Sequence, residues 1–182
     1  MIAKQKVAPI IVAALVSLCA GYDTAIAATV PVVPDALNVS SSQKLSVEAR
    51  GIGVQIYECR KNQTDPSNFG WVFTAPEAEL FDSSDKRIGK HYAGPTWEAN
   101  DGSKVVGAFE ALYNSPDTNS IPWLLLKAKS NSGSGIFSHV ERIQRVETVG
   151  GKAPVEGCGE EQAGKKIRVP FKAIYYFYGA EP

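Results

Sequence analysis

An all-β fold, a single antiparallel β-sandwich or β-barrel with one disulfide, is what this sequence predicts. Three observations carry it. Apolar residues alternate with a period of two, and no long segment shows a good 3.6-residue stripe. Clusters of turn-forming residues recur at short intervals, the spacing expected of sandwiches and barrels. Once an N-terminal export signal is removed, two cysteines remain to pair.

The export signal comes first in the chain. Lys4 and Lys6 form a positive start, Val7 to Ala20 an apolar run broken only by Ser17, and Ala25-Ile26-Ala27 the small residues that a signal peptidase accepts. Cys19 follows Leu18, where lipid attachment requires a small residue, so a lipoprotein is set aside. The run is too short to span a bilayer, and no later segment reaches the required length of about 20 apolar residues. The expectation is a periplasmic or extracellular protein with no integral membrane segment after cleavage. Residues 1–27 are then the cleaved signal and 28–36 an extended leader, because Pro31 and Pro34 oppose helix. Residues 37–182 form a single β-rich domain, with no linker to divide them.

The full chain carries 19 basic and 19 acidic residues. Loss of Lys4, Lys6 and Asp23 with the signal leaves a formal charge of about −1. No basic stripe exists to bind nucleic acid or an anionic membrane. Arg142 and Arg145 are the densest cationic spot, and Glu141 and Glu147 flank them. Cys59 and Cys158, the cysteines left after cleavage, are read as one disulfide, with two free buried thiols as the alternative.

The strands read in order as Leu45–Ala49, Val54–Cys59, Gly70–Thr74, Glu79–Phe81, Ile88–Tyr92, Val105–Tyr113, Trp123–Ala128, Ile136–Val149 and Ile167–Tyr178. The last is the clearest. Ile167, Val169, Phe171, Ala173, Tyr175 and Phe177 share one face, and Pro170 suggests an edge position or a bulge. Val140–Val149 also tolerates a helical reading through Val140, Ile143 and Val146. Ile121–Leu126 is apolar on both faces, which reads as a central buried strand and not a ligand groove.

Five segments carry a family resemblance. They are Val54-Gln55-Ile56-Tyr57-Glu58-Cys59, the stretch from His91-Tyr92-Ala93-Gly94-Pro95 to Asp101-Gly102-Ser103, Ile121-Pro122-Trp123-Leu124-Leu125-Leu126, the run from Ile143-Gln144-Arg145 to Gly150-Gly151 with Ala153-Pro154, and Tyr175-Tyr176-Phe177-Tyr178. Together they resemble DUF3455, an uncharacterised family of secreted bacterial and fungal domains of unknown function. The resemblance implies an extracytoplasmic domain with no catalytic residues to carry over. Both cysteines sit at positions matching the family pattern, which supports their pairing.

The most functional-looking stretch is His91–Asp101. It gathers an imidazole, an indole and two carboxylates around a Gly-Pro turn. His91, Tyr92, Trp97, Glu98 and Asp101 are the candidate ligand-binding residues. Tyr176 and Tyr178, on the outer face of the last strand, join them as aromatics able to stack on a sugar ring. No cofactor is expected, and no metal, because the only histidines, His91 and His139, are far apart in sequence. Gly-x-Ser-x-Gly is absent, and Gly51-Ile52-Gly53 and Gly133-Ser134-Gly135 do not continue as phosphate loops. The expectation is non-catalytic binding of a small molecule or glycan. The alternatives are a hydrolase using His91 with Glu98, Asp101 and His139, and an envelope or stress interaction protein without a pocket.

Overall fold

The computed structural model describes residues 31–65 and 67–180. The segment expected to be an export signal, and with it residues 28–30 of the expected leader, lies outside them. Eight antiparallel strands run in chain order and close on themselves as a barrel. They are β1 (Lys44–Lys61), β2 (Phe69–Phe81), β3 (Arg87–Tyr92), β4 (Thr96–Ala99), β5 (Lys104–Tyr113), β6 (Trp123–Ser132), β7 (Val140–Gly150) and β8 (Lys166–Gly179). The β1–β8 ladder, from Lys44↔Gly179 to Glu58↔Lys166, makes the closure.

Two pairs of predicted strands merge. Leu45–Ala49 and Val54–Cys59 become β1, because the intervening Gly51 is needed inside the barrel. A Cβ there would stand 2.5 Å from Cε2 of Tyr175, so only glycine admits that ring. Gly70–Thr74 and Glu79–Phe81 join through Pro76, which pairs with Gln55 of β1. The β2–β3 ladder begins only at Ala78↔His91, so Pro76 has a strand on one side alone. Pro170 is placed in the same way. It registers with Val54 of β1 but lies one residue beyond the last β7 pair, Gly150↔Phe171.

The helix-like spacing in Val140–Val149 comes from bulges. The β7–β8 register shifts between Val140 and Arg142 and again between Val146 and Val149, where Glu147 has φ 50°. Val140 and Ile143 therefore face the interior, whereas Val146 faces out.

Two apolar clusters result. Inside the barrel Trp97, Tyr175, Phe177, Leu80, Leu126 and Ile143 pack with small residues such as Ala49 and Ala173. Phe137, from the β6–β7 connection, packs against Phe177 with ring centroids 4.6 Å apart. Outside, Leu37 is fully buried among Leu125, Val146, Tyr176 and Tyr178, with Val33, Val39 and Trp123 around them. Residues 31–39, with a 3-10 turn at Asp35–Leu37, thus form a strap over the outer faces of β5 to β8. Gln144 fastens it. Its Nε2 donates to the Leu37 carbonyl at 2.7 Å, and its Oε1 accepts from the Tyr178 hydroxyl at 2.8 Å.

Cys59 and Cys158 are bonded, with their Cα atoms 5.5 Å apart. The bond pins the β7–β8 connection to the end of β1, where Gly164 N–H also donates to the Cys59 carbonyl. Closing a loop of 99 residues is worth about 4–5 kcal/mol in the chain-entropy account.

Two outcomes are expected. The oxidised protein has no titratable thiol, and reduction lowers its melting temperature by several degrees or more; two thiols reacting before reduction would contradict this. Leu37→Ala, which removes the fully buried anchor of the strap, costs about 2–4 kcal/mol in urea unfolding. A loss below about 0.5 kcal/mol, the range of surface substitutions, would mean that the strap does not support the barrel.

Candidate functional site

The β3–β4 hairpin divides the His91–Asp101 stretch between two faces. Alternation points His91 and Trp97 into the barrel and Tyr92 and Glu98 out of it. His91 and Trp97 are direct cross-strand partners, and their rings stack at 4.3 Å with planes 13° apart. Tyr175 meets both rings edge-on, 5.3 Å from His91 and 5.6 Å from Trp97. Gly107 of β5 leaves room for the indole, since a Cβ there would stand 3.0 Å from Cζ3 of Trp97.

His91 Nδ1 lies 2.9 Å from the Thr96 carbonyl. A carbonyl can only accept, so Nδ1 carries the proton and Nε2 the lone pair. Burial pushes the imidazole pKa down to about 3, the neighbouring Arg145 cation pushes the same way, and the Thr96 carbonyl opposes them. His91 is therefore neutral at any physiological pH.

The outward residues make a separate surface network. Glu98 accepts from the Tyr92 hydroxyl at 2.8 Å and pairs with Lys104 at 3.3 Å and Lys90 at 3.5 Å. The Tyr92 hydrogen bond chiefly, with the lysines behind it, holds its carboxyl below the usual range. Asp101 lies at the other end of the hairpin. It accepts from Ser103 N–H and Oγ–H and from Ile136 N–H, which ties the β4–β5 turn to the β6–β7 connection. Tyr176 and Tyr178 lie under the strap on the outer face. His139 is exposed in the β6–β7 connection, at the end of the barrel away from the β3–β4 turn. Of the seven candidates, the fold brings His91 and Trp97 together inside the barrel.

These two line a cavity of about 300 Å³ with Phe73, Pro76, Leu124, Leu126 and Arg145, and the turn residues Ala93, Gly94 and Pro95 form its rim. The opening exists because β3 and β4 are short. Beyond them β2 and β5 continue without a partner on that side. Leu124 and Leu126 correct the reading of Ile121–Leu126 as excluded from any groove. One face of that segment lines the cavity, and the other, with Leu125 and Trp123, packs under the strap.

Arg145 is the residue that sequence reasoning missed. In the sequence it is paired with Arg142 as the densest cationic spot, with no role in a site. On a strand, however, residues three apart face opposite sides. Arg142 points outward to Glu110 at 2.8 Å, whereas Arg145 opposes Tyr175 and lines the cavity. Its Nη2 donates to the Pro122 carbonyl at 2.8 Å, while Nε is enclosed without a partner. Burial lowers its pKa, and the Tyr175 and Tyr57 hydroxyls partly offset that. Continuing the alternation from Ile143 would have placed Arg145 inside. Tyr57 also faces in, its hydroxyl donating to the Gly151 carbonyl at 2.6 Å.

The family model described as a protein of unknown function, DUF3455, matches residues 40–179. The chain belongs to the DUF3455 family. No curated protein and no solved structure matches it. The match spans all eight strands of this DUF3455 barrel and starts after the Leu37 anchor of the strap. Among the described residues no group of three His, Cys, Asp or Glu side chains is arranged to hold a metal.

The buried imidazole makes stability depend on pH. The unfolded chain takes up a proton at His91 below about 6.5, whereas the folded protein does so only near 3. This stability is therefore complete above pH 6.5 and is lost as the pH falls, by up to about 1.4 kcal/mol per unit. Between pH 6.5 and 5 the depressed carboxylates stay ionised, so the slope there belongs to histidine. Urea unfolding across that window should show a steeper loss for the native protein than for His91→Gln. Equal slopes would refute a buried neutral His91.

Proposed function

We propose that this domain is exported and binds a small molecule in the lumen of its barrel, through His91 and Trp97 and without catalysis. The observation that carries this reading is the cavity of about 300 Å³. Its size lies at the lower end of the usual range for small-molecule sites, about 300–1,000 Å³. Eight strands leave an interior just wide enough to be filled by side chains or to hold one small ligand. Here small residues at Ala49, Gly51, Gly107 and Ala173 offset the large rings of Trp97 and Tyr175. The walls are mostly apolar, with a few polar groups, as a ligand site requires.

The remaining observations favour binding over hydrolysis. The His91 ring is oriented by a backbone carbonyl, and Glu98 and Asp101 are engaged elsewhere. The strap over Tyr176 and Tyr178 favours a small molecule in the lumen over a glycan on the outer face. Export is supported by the signal-like N-terminus and by the disulfide, and among the described residues no helix is long and apolar enough to cross a membrane.

The test uses a neutral, environment-sensitive probe, N-phenyl-1-naphthylamine. It should gain fluorescence on binding and quench Trp97. Ala93 is exposed on the rim, so Ala93→Trp should leave the melting temperature within a few degrees and weaken the probe at least fivefold. No binding by the native protein, or equal binding by Ala93→Trp, would overturn the proposal.

A further inference from the structure

From the donors that line this cavity we infer that its ligand is a small monocarboxylate, with the anionic end on Arg145 and the apolar body against Trp97, Leu124 and Leu126; this rests on the cavity being a ligand site. Arg145 has no carboxylate within ion-pair distance among the described residues, although eight other ion pairs form on the barrel surface. Its one side-chain hydrogen bond there goes to the Pro122 carbonyl. A cation drawn from water without a counter-ion is costly, and breaking an enclosed pair is among the most destabilising changes a fold can carry. A guanidinium without a counter-ion in a cavity therefore marks a place where the anion arrives with the ligand.

The enclosed Nε of Arg145 and Nε1 of Trp97 are donors without acceptors, and both belong to cavity-lining side chains. The hydroxyl of Tyr175 and Nε2 of Gln55, which do not line the cavity, are also enclosed and unpartnered. No Asp or Glu lines the cavity, and Thr74 spends its hydroxyl proton on the Ile56 carbonyl. Against the Arg145 and Trp97 donors the lining sets the Nε2 lone pair of His91 as an imidazole acceptor and no anion, and buried donors are normally satisfied. A carboxylate offers acceptors only and suits the planar guanidinium fork. An ammonium would face an uncompensated like charge, and a neutral alcohol would bring no charge to balance Arg145. The space admits an acid of about one substituted ring.

The experiment compares three probes of one shape at pH 7: 3-phenylpropanoate, 3-phenylpropan-1-ol and 3-phenylpropan-1-amine. Affinities come from calorimetry and Trp97 fluorescence on the intact oxidised protein. The acid should bind at least tenfold tighter than the alcohol, and the amine more weakly than either. In Arg145→Met the acid should fall to the level of the alcohol while the alcohol keeps its affinity. If acid and alcohol bind the native protein equally, the cavity reading stands and the anion assignment falls. If no probe binds, both fall. A preference for the acid that survives in Arg145→Met removes Arg145 as the anchor. Should that variant not fold, Arg145→Lys decides. Severalfold loss of the acid alone supports the assignment, and the absence of any selective loss overturns it.

Discussion

The ladder between β1 and β8 is the constraint on which the rest of this molecule depends. Without it the eight strands would be an open sheet with two exposed edges and no defined interior. With it, every strand has one face turned inward, and the two-residue period sorts each side chain into lumen or outside. A shift of one residue in any ladder would exchange those sets. The lumen with its aromatic stack, the outer cluster under the strap and the position of Arg145 all follow from this closure. The disulfide acts at the same seam, because it ties the connection that leads into β8 to the end of β1.

Within the closed wall, the cavity arises from an inequality of strand lengths. β3 and β4 are short, whereas β1 and β2 run on well past them. The wall is consequently notched above the β3–β4 turn, and the notch leads to the stack of His91, Trp97 and Tyr175. The same geometry explains how prolines are tolerated in long strands. Pro76 and Pro170 lie where a neighbouring ladder has already ended. Polar groups in the lumen are few, and their pKa directions agree with one another. Burial keeps His91 neutral and raises the Tyr175 hydroxyl, leaving Arg145 as the fixed charge of the cavity lining.

Much of the fold was legible in the chain because strand alternation is a local property. The β8 pattern at Ile167 to Phe177 showed the inward face correctly, and turn clusters divided most strands from one another. Reading failed where the local pattern is interrupted. Gly51 looked like a break in β1 because glycine weakens strands, yet it is required by a ring 124 residues further along. The four-residue β4 hid inside the functional-looking stretch, where no strand was expected after Tyr92. Of that stretch, His91 and Trp97 meet in the lumen, while Tyr92, Glu98 and Asp101 serve the surface and a turn. Arg145 was read together with Arg142 as one cationic spot, although their spacing placed them on opposite faces.

The sequence by itself determined the all-β class, the family and the two cysteines that pair, since these rest on residue types and on spacings of two. Tertiary structure decided the barrel over the sandwich, the strap over Tyr176 and Tyr178, and the cavity around His91 and Trp97. Those features depend on which strand closes on which and on where each ladder stops. Closure joins residues more than a hundred positions apart, and no local pattern specifies such a pairing.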